Sequence, residues 1–183
     1  MYIFKSGNDY IAIDAGNDAD NIQQQLNKLG IDKAKIRAIF LTHADQDHVG
    51  AVSLFANAKV YVSQHEKPLI DGTIKRTYSR SINADYTLVQ DKQIVSVNSI
   101  TVECIATPGH TPGSISLVLE SGEAFVGDLA MSGFPRLSGP GPFVLGDDPE
   151  VMKTSWQLLL DEGARQIYPS HGKPFDAGVF SQY

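Results

Sequence analysis

The length and composition of the chain describe an ordinary globular protein. Its 183 residues suffice for a substantial core and favour one domain, which we predict for residues 1–183. With 42% hydrophobic and 20% charged residues, neither a disordered nor a fibrous chain is indicated. The net charge of −6 argues against a general nucleic-acid surface, because phosphate binding depends on clustered Lys and Arg.

The N-terminal segment and the single cysteine bear on location. The chain does not begin with a basic region followed by an apolar stretch, and no segment approaches the ~18 apolar residues of a spanning helix. Cys104 has no partner for an internal disulfide, which is compatible with a reducing compartment. We therefore expect a cytoplasmic protein with neither a membrane nor a nucleic acid as partner.

The first elements in chain order are a hairpin and a helix. Apolar residues alternate in residues 2–4 and 10–13 on either side of a Ser-Gly-Asn-Asp turn, which predicts two antiparallel strands. A helix with one apolar face follows. Its face is Ile22, Leu26 and Leu29, its N-cap is Asp18 or Asp20, and it stops at Gly30.

The middle of the chain predicts strands that lead into polar turns. The apolar run 36–41 indicates a buried strand that ends at His43. A short helix is predicted in residues 49–55, a strand at Lys59–Ser63 and a turn or short helix in residues 64–70. Short strands then follow in succession. They are predicted at residues 86–89, 93–97, 100–106, 114–119 and 124–126.

The last third contains a long loop, a helix and a strand. Residues 133–148 are rich in Gly and Pro and predict an irregular loop that could wall a binding pocket. Asp148-Pro149 is typical of a helix start, with Asp as N-cap and Pro in the first turn. Residues 166–168 predict a final strand, which leads to His171.

The motif THADQDHVG at residues 42–50 is the strongest chemical signal. It places four side chains that can bind metal within six positions: His43, Asp45, Asp47 and His48. Three further signals lie in or beside Gly-containing turns at predicted strand ends: His110, Asp128 and His171. Imidazole and carboxylate together are the ligands of zinc, iron or manganese, and this set suffices for two ions.

The order of these residues resembles that of the metallo-β-lactamase superfamily, whose signature is H-x-H-x-D-H followed by a distant His, a distant Asp and a final His. Residues 107–114 look like the same segment of glyoxalase II-type members. The resemblance covers nearly the whole chain and implies an α/β fold, the four-layer αββα sandwich. It implies His43, Asp45 and His110 on one ion, Asp47, His48 and His171 on the other, and Asp128 bridging both.

Asp45 departs from the signature, which has a second His there. A carboxylate is a harder donor than imidazole, so it favours oxygen-loving ions. For the two divalent ions we expect zinc first, with iron or manganese as alternatives. Two divalent ions with three carboxylates and a hydroxide form a neutral site, which predicts weaker acceptance of anionic substrates than with His at position 45. Whether Asp45 ligates directly is left open.

The residues of this site are suited to hydrolysis. Two ions lower the pKa of a shared water and polarise a carbonyl or phosphoryl oxygen. Asp47 would orient the nucleophile or pass its proton to the leaving group. We expect a hydrolase that uses a metal-bridging hydroxide on an ester, thioester, lactone or related small-molecule substrate. The alternatives are a di-iron redox protein of the flavodiiron type and a phosphodiesterase of the same superfamily, and the oligomeric state is left open.

Other candidate residues are interpreted as structural. His65 has no ligand-like spacing and is expected at the surface. Cys104 alternates with Ile100 and Val102, which indicates a buried, inert thiol. A local basic stretch is expected to be a solvated face, and it consists of Lys67, Lys75, Arg76 and Arg80.

Overall fold

The chain divides into two compact units. The computed structural model describes residues 1–82, 84–133, 141 and 146–183. Unit 1 comprises Met1–Val89 and Ser96–Ile100, and unit 2 comprises Gln90–Val95 and Thr101–Tyr183. Each unit carries a mixed β-sheet. That the two units form a single domain stays a prediction.

Unit 1 is built on a five-stranded sheet with flanking helices. Its strands are β1 (Tyr2–Ser6), β2 (Asp9–Ile13), β3 (Ile36–Phe40), β4 (Lys59–Ser63) and β5 (Tyr86–Val89). Its helices are α1 (Ala19–Leu29), α2 (Gln46–Val49) and α3 (Lys67–Ile70), with 3-10 turns at Lys33–Lys35 and Val52–Leu54. The strands lie in the order β1-β2-β3-β4-β5. β1 and β2 form the predicted antiparallel hairpin, and the other neighbours are parallel.

Helix α1 has the ends that the sequence predicts. The Asp18 side chain accepts the N–H groups of Asp20 and Asn21, and Gly30 ends the helix in the left-handed conformation at φ 67°. Leu26 is buried, but Leu29 is 68% exposed, so its place on the apolar face was wrong. Leu29 is the last helical residue and directly precedes the left-handed Gly30.

The parallel strands of unit 1 determine where its polar side chains gather. The carboxyl ends of parallel neighbours meet at one edge of a sheet. Asp14 directly follows β2, and the Asp14 N–H donates to Phe40 O at 2.9 Å, at the end of β3. The first residues after β2, β3 and β4 therefore lie side by side beyond a core that includes Ile39 and Val62.

Unit 2 is built on a six-stranded sheet. Its strands are β6 (Gln93–Val97), β7 (Ile100–Ala106), β8 (Ile115–Leu119), β9 (Glu123–Met131), β10 (Gln166–His171) and β11 (Phe175–Asp176). They lie in the order β11-β10-β9-β8-β7-β6, with β9 and β10 parallel. Helix α4 (Pro149–Asp161) is capped by Asp148, as predicted. It packs through the buried Trp156, whose Nε1 donates to Leu129 O at 3.0 Å.

The end of the chain differs from the sequence expectations, and most of the predicted long loop lies outside the described residues. β11 and a 3-10 turn at Ala177–Gln182 were not predicted. The apolar and basic residues that could wall a pocket, at positions 134, 136, 137, 143 and 145, lie outside the described residues. Within the described part of the chain, none of the helices has the length and apolarity needed to cross a bilayer.

Candidate metal centre

The motif at residues 42–50 follows the carboxyl end of β3. Thr42 and His43 continue from the strand, and α2 begins at Gln46, directly after Asp45. His43, Asp45 and His48 are buried, whereas Asp47 is exposed. Unit 1 therefore places the four candidate ligands of the motif in the turn after β3 and the first residues of α2.

A buried carboxylate, Asp14, organises both histidines of the motif. Its oxygens accept the Thr42 N–H at 2.8 Å and the Thr42 hydroxyl at 3.0 Å, and lie 2.8 Å from His48 Nδ1. Burial acts to raise the pKa of Asp14, but the contact with His48 and the Thr42 hydrogen bonds outweigh it and hold the pKa below its ordinary value. Asp14 is therefore an ionised acceptor.

This acceptor fixes the tautomers of the two histidines. His48 Nδ1 faces a carboxylate and must carry the proton. The Thr42 hydroxyl donates its single proton to Asp14. Thr42 Oγ1 can therefore only accept from His43 Nδ1, which lies 3.0 Å away and must carry the proton. Both rings then present an Nε2 lone pair, which is the form of histidine that binds a metal.

Asp45 makes contacts in two directions. Arg76 Nη1 lies 2.6 Å from Oδ1 and 2.8 Å from Oδ2, and the Ser79 hydroxyl donates to Oδ1 at 2.9 Å. Oδ2 also lies 3.8 Å from His43 Nε2. These contacts explain why Asp45 precedes α2 without capping it through its side chain. Arg76 is not part of a solvated face, and that expectation was wrong for this residue.

Asp47 lies at the rim of the motif. Its side chain is 46% exposed, and its Oδ2 is 3.6 Å from His48 Nε2. Asp47 is thus the carboxylate of the motif that combines access to solvent with proximity to a buried imidazole. This is the position that a group exchanging protons with a substrate requires.

Unit 2 places two of its candidate ligands, His110 and His171, around the third, Asp128. His171 Nε2 lies 3.4 Å from Oδ1 of Asp128, and His110 Nε2 lies 3.9 Å from Oδ2. Asp128 was predicted just beyond a strand, but it lies inside β9. The pairing of β9 with β10 shifts register here, next to Gly127 at φ 55°. Such a bulge re-aims side chains without ending the strand.

The turn before His110 depends on a glycine. Gly109 has φ 127°, and a Cβ there would lie 2.5 Å from the Met152 side chain and 2.6 Å from its backbone nitrogen. The Asp147 N–H donates to His110 O at 3.2 Å, and the Asp148 N–H donates to Gly109 O at 2.8 Å. These contacts hold His110 in place at the start of α4.

The donor chemistry within each unit fits a metal. Two ligands of one tetrahedral zinc lie about 3.4 Å apart, given bonds of about 2.1 Å. The four imidazole-to-carboxylate distances between candidate ligands of the same unit run from 3.4 to 3.9 Å. They are longer than good hydrogen bonds and close to the separation of two ligands on one ion.

Sequence reasoning missed Asp14, Glu66 and the role of Arg76. Glu66 is 1% exposed and its Oε1 accepts the Ala44 N–H at 2.7 Å, inside the motif. The position of Asp14 after an apolar strand was a usable signal, because parallel strand ends meet. No local pattern connects Arg76 to Asp45, 31 residues away.

Two residues that were set aside behave as expected. His65 is exposed and contacts the neighbouring Gln64 side chain. Cys104 is fully buried, and burial raises the pKa of its thiol to about 12. The thiol therefore stays protonated and unreactive at neutral pH.

Comparisons with known proteins identify the family of the chain. The family model of the metallo-β-lactamase superfamily matches residues 1–171. The chain is similar to a β-lactamase-like protein 2 homolog of Drosophila melanogaster, at 30% identity over 97% of the chain and 60% of that protein. Two similar proteins with functional names are an atrochrysone carboxyl ACP thioesterase of Aspergillus fumigatus and a probable polyketide biosynthesis zinc-dependent hydrolase of Bacillus subtilis. Both are 29% identical, over 93% and 88% of this chain and 50% and 66% of the relatives.

Solved structures share the fold. A metallo-β-lactamase family protein of Thermus thermophilus aligns with a TM-score of 0.74 at 21% identity, over 99% of this chain and 71% of that one. The protein TTHA1623 in a di-iron-bound form aligns with a TM-score of 0.72 at 23% identity, over 99% and 91% of the two chains. The chain belongs to the metallo-β-lactamase superfamily, a superfamily of metal-dependent hydrolases. The predicted α/β fold of this type is confirmed.

Proposed function

We propose that the chain is a binuclear metal-dependent hydrolase that cleaves an acyl bond, in an ester, thioester or lactone, of a small molecule. The proposal rests on one observation: neighbouring residues hold buried imidazoles in the form that binds a metal. Asp14 and Thr42 fix the tautomers of His43 and His48, and Asp128 turns one oxygen toward each of two further histidines. Contacts at Nδ1, such as those made by Asp14 and Thr42, orient histidine ligands and raise their basicity, whereas Asp128 is itself a candidate ligand.

The proposed ligand set follows the order of the family signature. One ion would be held by His43, Asp45 and His110, the other by Asp47, His48 and His171, with Asp128 bridging. Two bound divalent ions would supply a water that is deprotonated near neutral pH and would polarise the carbonyl oxygen of the substrate. We assign zinc, because imidazole nitrogens predominate in the set, and keep iron and manganese as alternatives.

Asp47 is the proposed catalytic residue. Because its carboxylate is half exposed and close to His48 Nε2, it can orient the attacking water and carry a proton to the leaving group. Asp14 keeps the proton of the His48 ring on Nδ1, so Nε2 is unprotonated and can bind a metal.

The acyl substrate class is supported by the names of relatives. The Aspergillus relative is a thioesterase, and the Bacillus relative is a probable zinc-dependent hydrolase. Both reactions fall within what an activated water and a polarised carbonyl accomplish. The chain spans half to two thirds of the length of these relatives. A substrate assay is therefore the means of identifying the particular acyl compound.

Elemental analysis and a substrate panel test the proposal. We expect protein purified without added metal to contain about two zinc equivalents and to hydrolyse a thioester, ester or lactone in preference to β-lactams and phosphodiesters. His171→Ala is expected to lose metal and activity, whereas the exposed His65→Ala is a matched control that keeps both. A stoichiometry near one metal would contradict the seven-ligand site. Iron with oxygen or NO turnover and no hydrolysis would favour the redox alternative.

A further inference from the structure

The segment at residues 76–80 pairs with the middle of the metal motif. The Gln46 N–H donates to Tyr78 O at 3.0 Å, and the Arg80 N–H donates to Ala44 O at 2.8 Å. Asp45 and Ser79 thereby form an antiparallel bridge. Since hydrogen bonds on both sides of Asp45 fix this register, the backbone places Arg76 beside the carboxylate.

The ion pair between Arg76 and Asp45 is buried. The Arg76 side chain is 12% exposed and the Asp45 side chain 6%. An exposed ion pair is screened by water and contributes little, whereas a buried carboxylate without its partner is strongly unfavourable. The other arginine of the segment, Arg80, donates to the carbonyl oxygens of Thr77 and Ser79 instead. The interaction is therefore specific to Arg76.

The pair changes the charge that a metal meets at Asp45. The neutral site expected from three carboxylates and a hydroxide omits the guanidinium, which adds one positive charge beside Asp45. Arg76 contacts both oxygens of Asp45, the Ser79 hydroxyl donates to Oδ1, and Oδ2 is the oxygen that also faces His43 Nε2. A carboxylate paired in this way has the net charge of a neutral imidazole and keeps Oδ2 directed toward His43.

We infer that Arg76 is a positioning residue of the metal site. It orients the Asp45 carboxylate and cancels its charge, so that the pair serves in place of a histidine and the site accepts anionic acyl substrates. The inference rests on the proposed function, because it concerns an ion bound beside Asp45. It predicts that Arg76 is useful only while position 45 is acidic.

A double-mutant cycle tests this dependence. Zinc affinity is measured by competition with a chromophoric chelator for wild type, Asp45→His, Arg76→Gln and the double variant. In the Asp45→His background the guanidinium is an uncompensated cation, so removing it is expected to tighten zinc binding about tenfold or more. In wild type the same substitution also releases the carboxylate, and it should bring no comparable gain.

The outcomes separate the two proposals. An equal effect of Arg76→Gln in both backgrounds would show that the guanidinium acts on the metal without Asp45 and would overturn the inference alone. A wild-type protein that binds no metal would overturn the proposed function and the inference together. Arg80→Gln is the matched control and should leave zinc affinity unchanged. Because a single nitrogen, Nη1, contacts both oxygens of Asp45, an ammonium can take its place, and Arg76→Lys should bind zinc within about threefold of wild type even if Arg76→Gln folds poorly.

Discussion

Replacement of Asp14 by Asn removes one charge and introduces a donor where only acceptors fit. Its carboxylate receives two donors from Thr42 and one from His48. Whichever way the amide of Asp14→Asn is turned, its NH2 group faces one of these donors. Asp14 has φ 56°, a conformation that Asn also adopts, so the backbone is not strained by the change.

The expected loss follows from the number of contacts disturbed. Substitution of a residue that orients a metal-binding histidine lowers metal affinity about 10–100-fold, which is about 1.4–2.7 kcal/mol. One donor left unsatisfied in the interior costs about 1–3 kcal/mol of stability in addition. We expect Asp14→Asn to bind zinc about 10–100-fold more weakly and to unfold at lower urea concentration.

Chelator competition and urea unfolding measure the two effects. Asp18→Asn is the matched control, because Asn caps α1 as well as Asp does and the residue is exposed. Zinc affinity of Asp14→Asn within about twofold of wild type would refute the tautomer argument, since that argument requires an ionised acceptor at His48 Nδ1.

Three further predictions concern stability and reactivity. Gly172→Ala places a Cβ 2.0 Å from Ser132 O at φ 116° and should lower the free energy of unfolding in urea by about 3 kcal/mol. The control Gly30→Ala, whose site is open, should lower it by about 1 kcal/mol, and equal losses would contradict the clash. Cys104, with a thiol pKa of about 12, should react with a disulfide reagent at pH 8 only after denaturation, and rapid labelling of native protein would show an accessible thiolate. Chelation of the metal should lower the melting temperature, and zinc at about 100 times its dissociation constant should restore about 2.7 kcal/mol per site; calorimetry with no shift would argue against binding to the folded state.

Most of the elements could be predicted from the sequence for identifiable reasons. The apolar alternation in β1 and β2 and the caps of α1 and α4 involve residues close together in the sequence. Such local patterns are sufficient to predict those elements. The interruption at Asp128 was misjudged, because a glycine with positive φ is compatible with either a strand end or a bulge. Only pairing with β10 decides between them.

The supporting contacts of the site could not be derived in the same way. Asp14 and Thr42 are 28 residues apart, and Ala44 and Glu66 are 22 apart. Such pairs follow from the order of parallel strands, which no single segment encodes. The role of Arg76 depends further on an antiparallel bridge between two irregular segments. In the sequence, Arg76 is one of four basic residues in a local stretch that predicts a solvated face. Only the tertiary contact with Asp45 distinguishes Arg76 from the other three.

The contacts of Glu66, Arg76 and Ser79 with the motif have a consequence for how this enzyme family can diversify. All three residues lie between β4 and β5, and none of them is in the proposed ligand set. Substitutions or length changes there alter the surroundings of Ala44 and Asp45 while every proposed metal ligand is retained. The segment at residues 64–82 is therefore a place where natural or laboratory selection can retune metal preference and substrate charge in small steps, and it is the first region to randomise in a library.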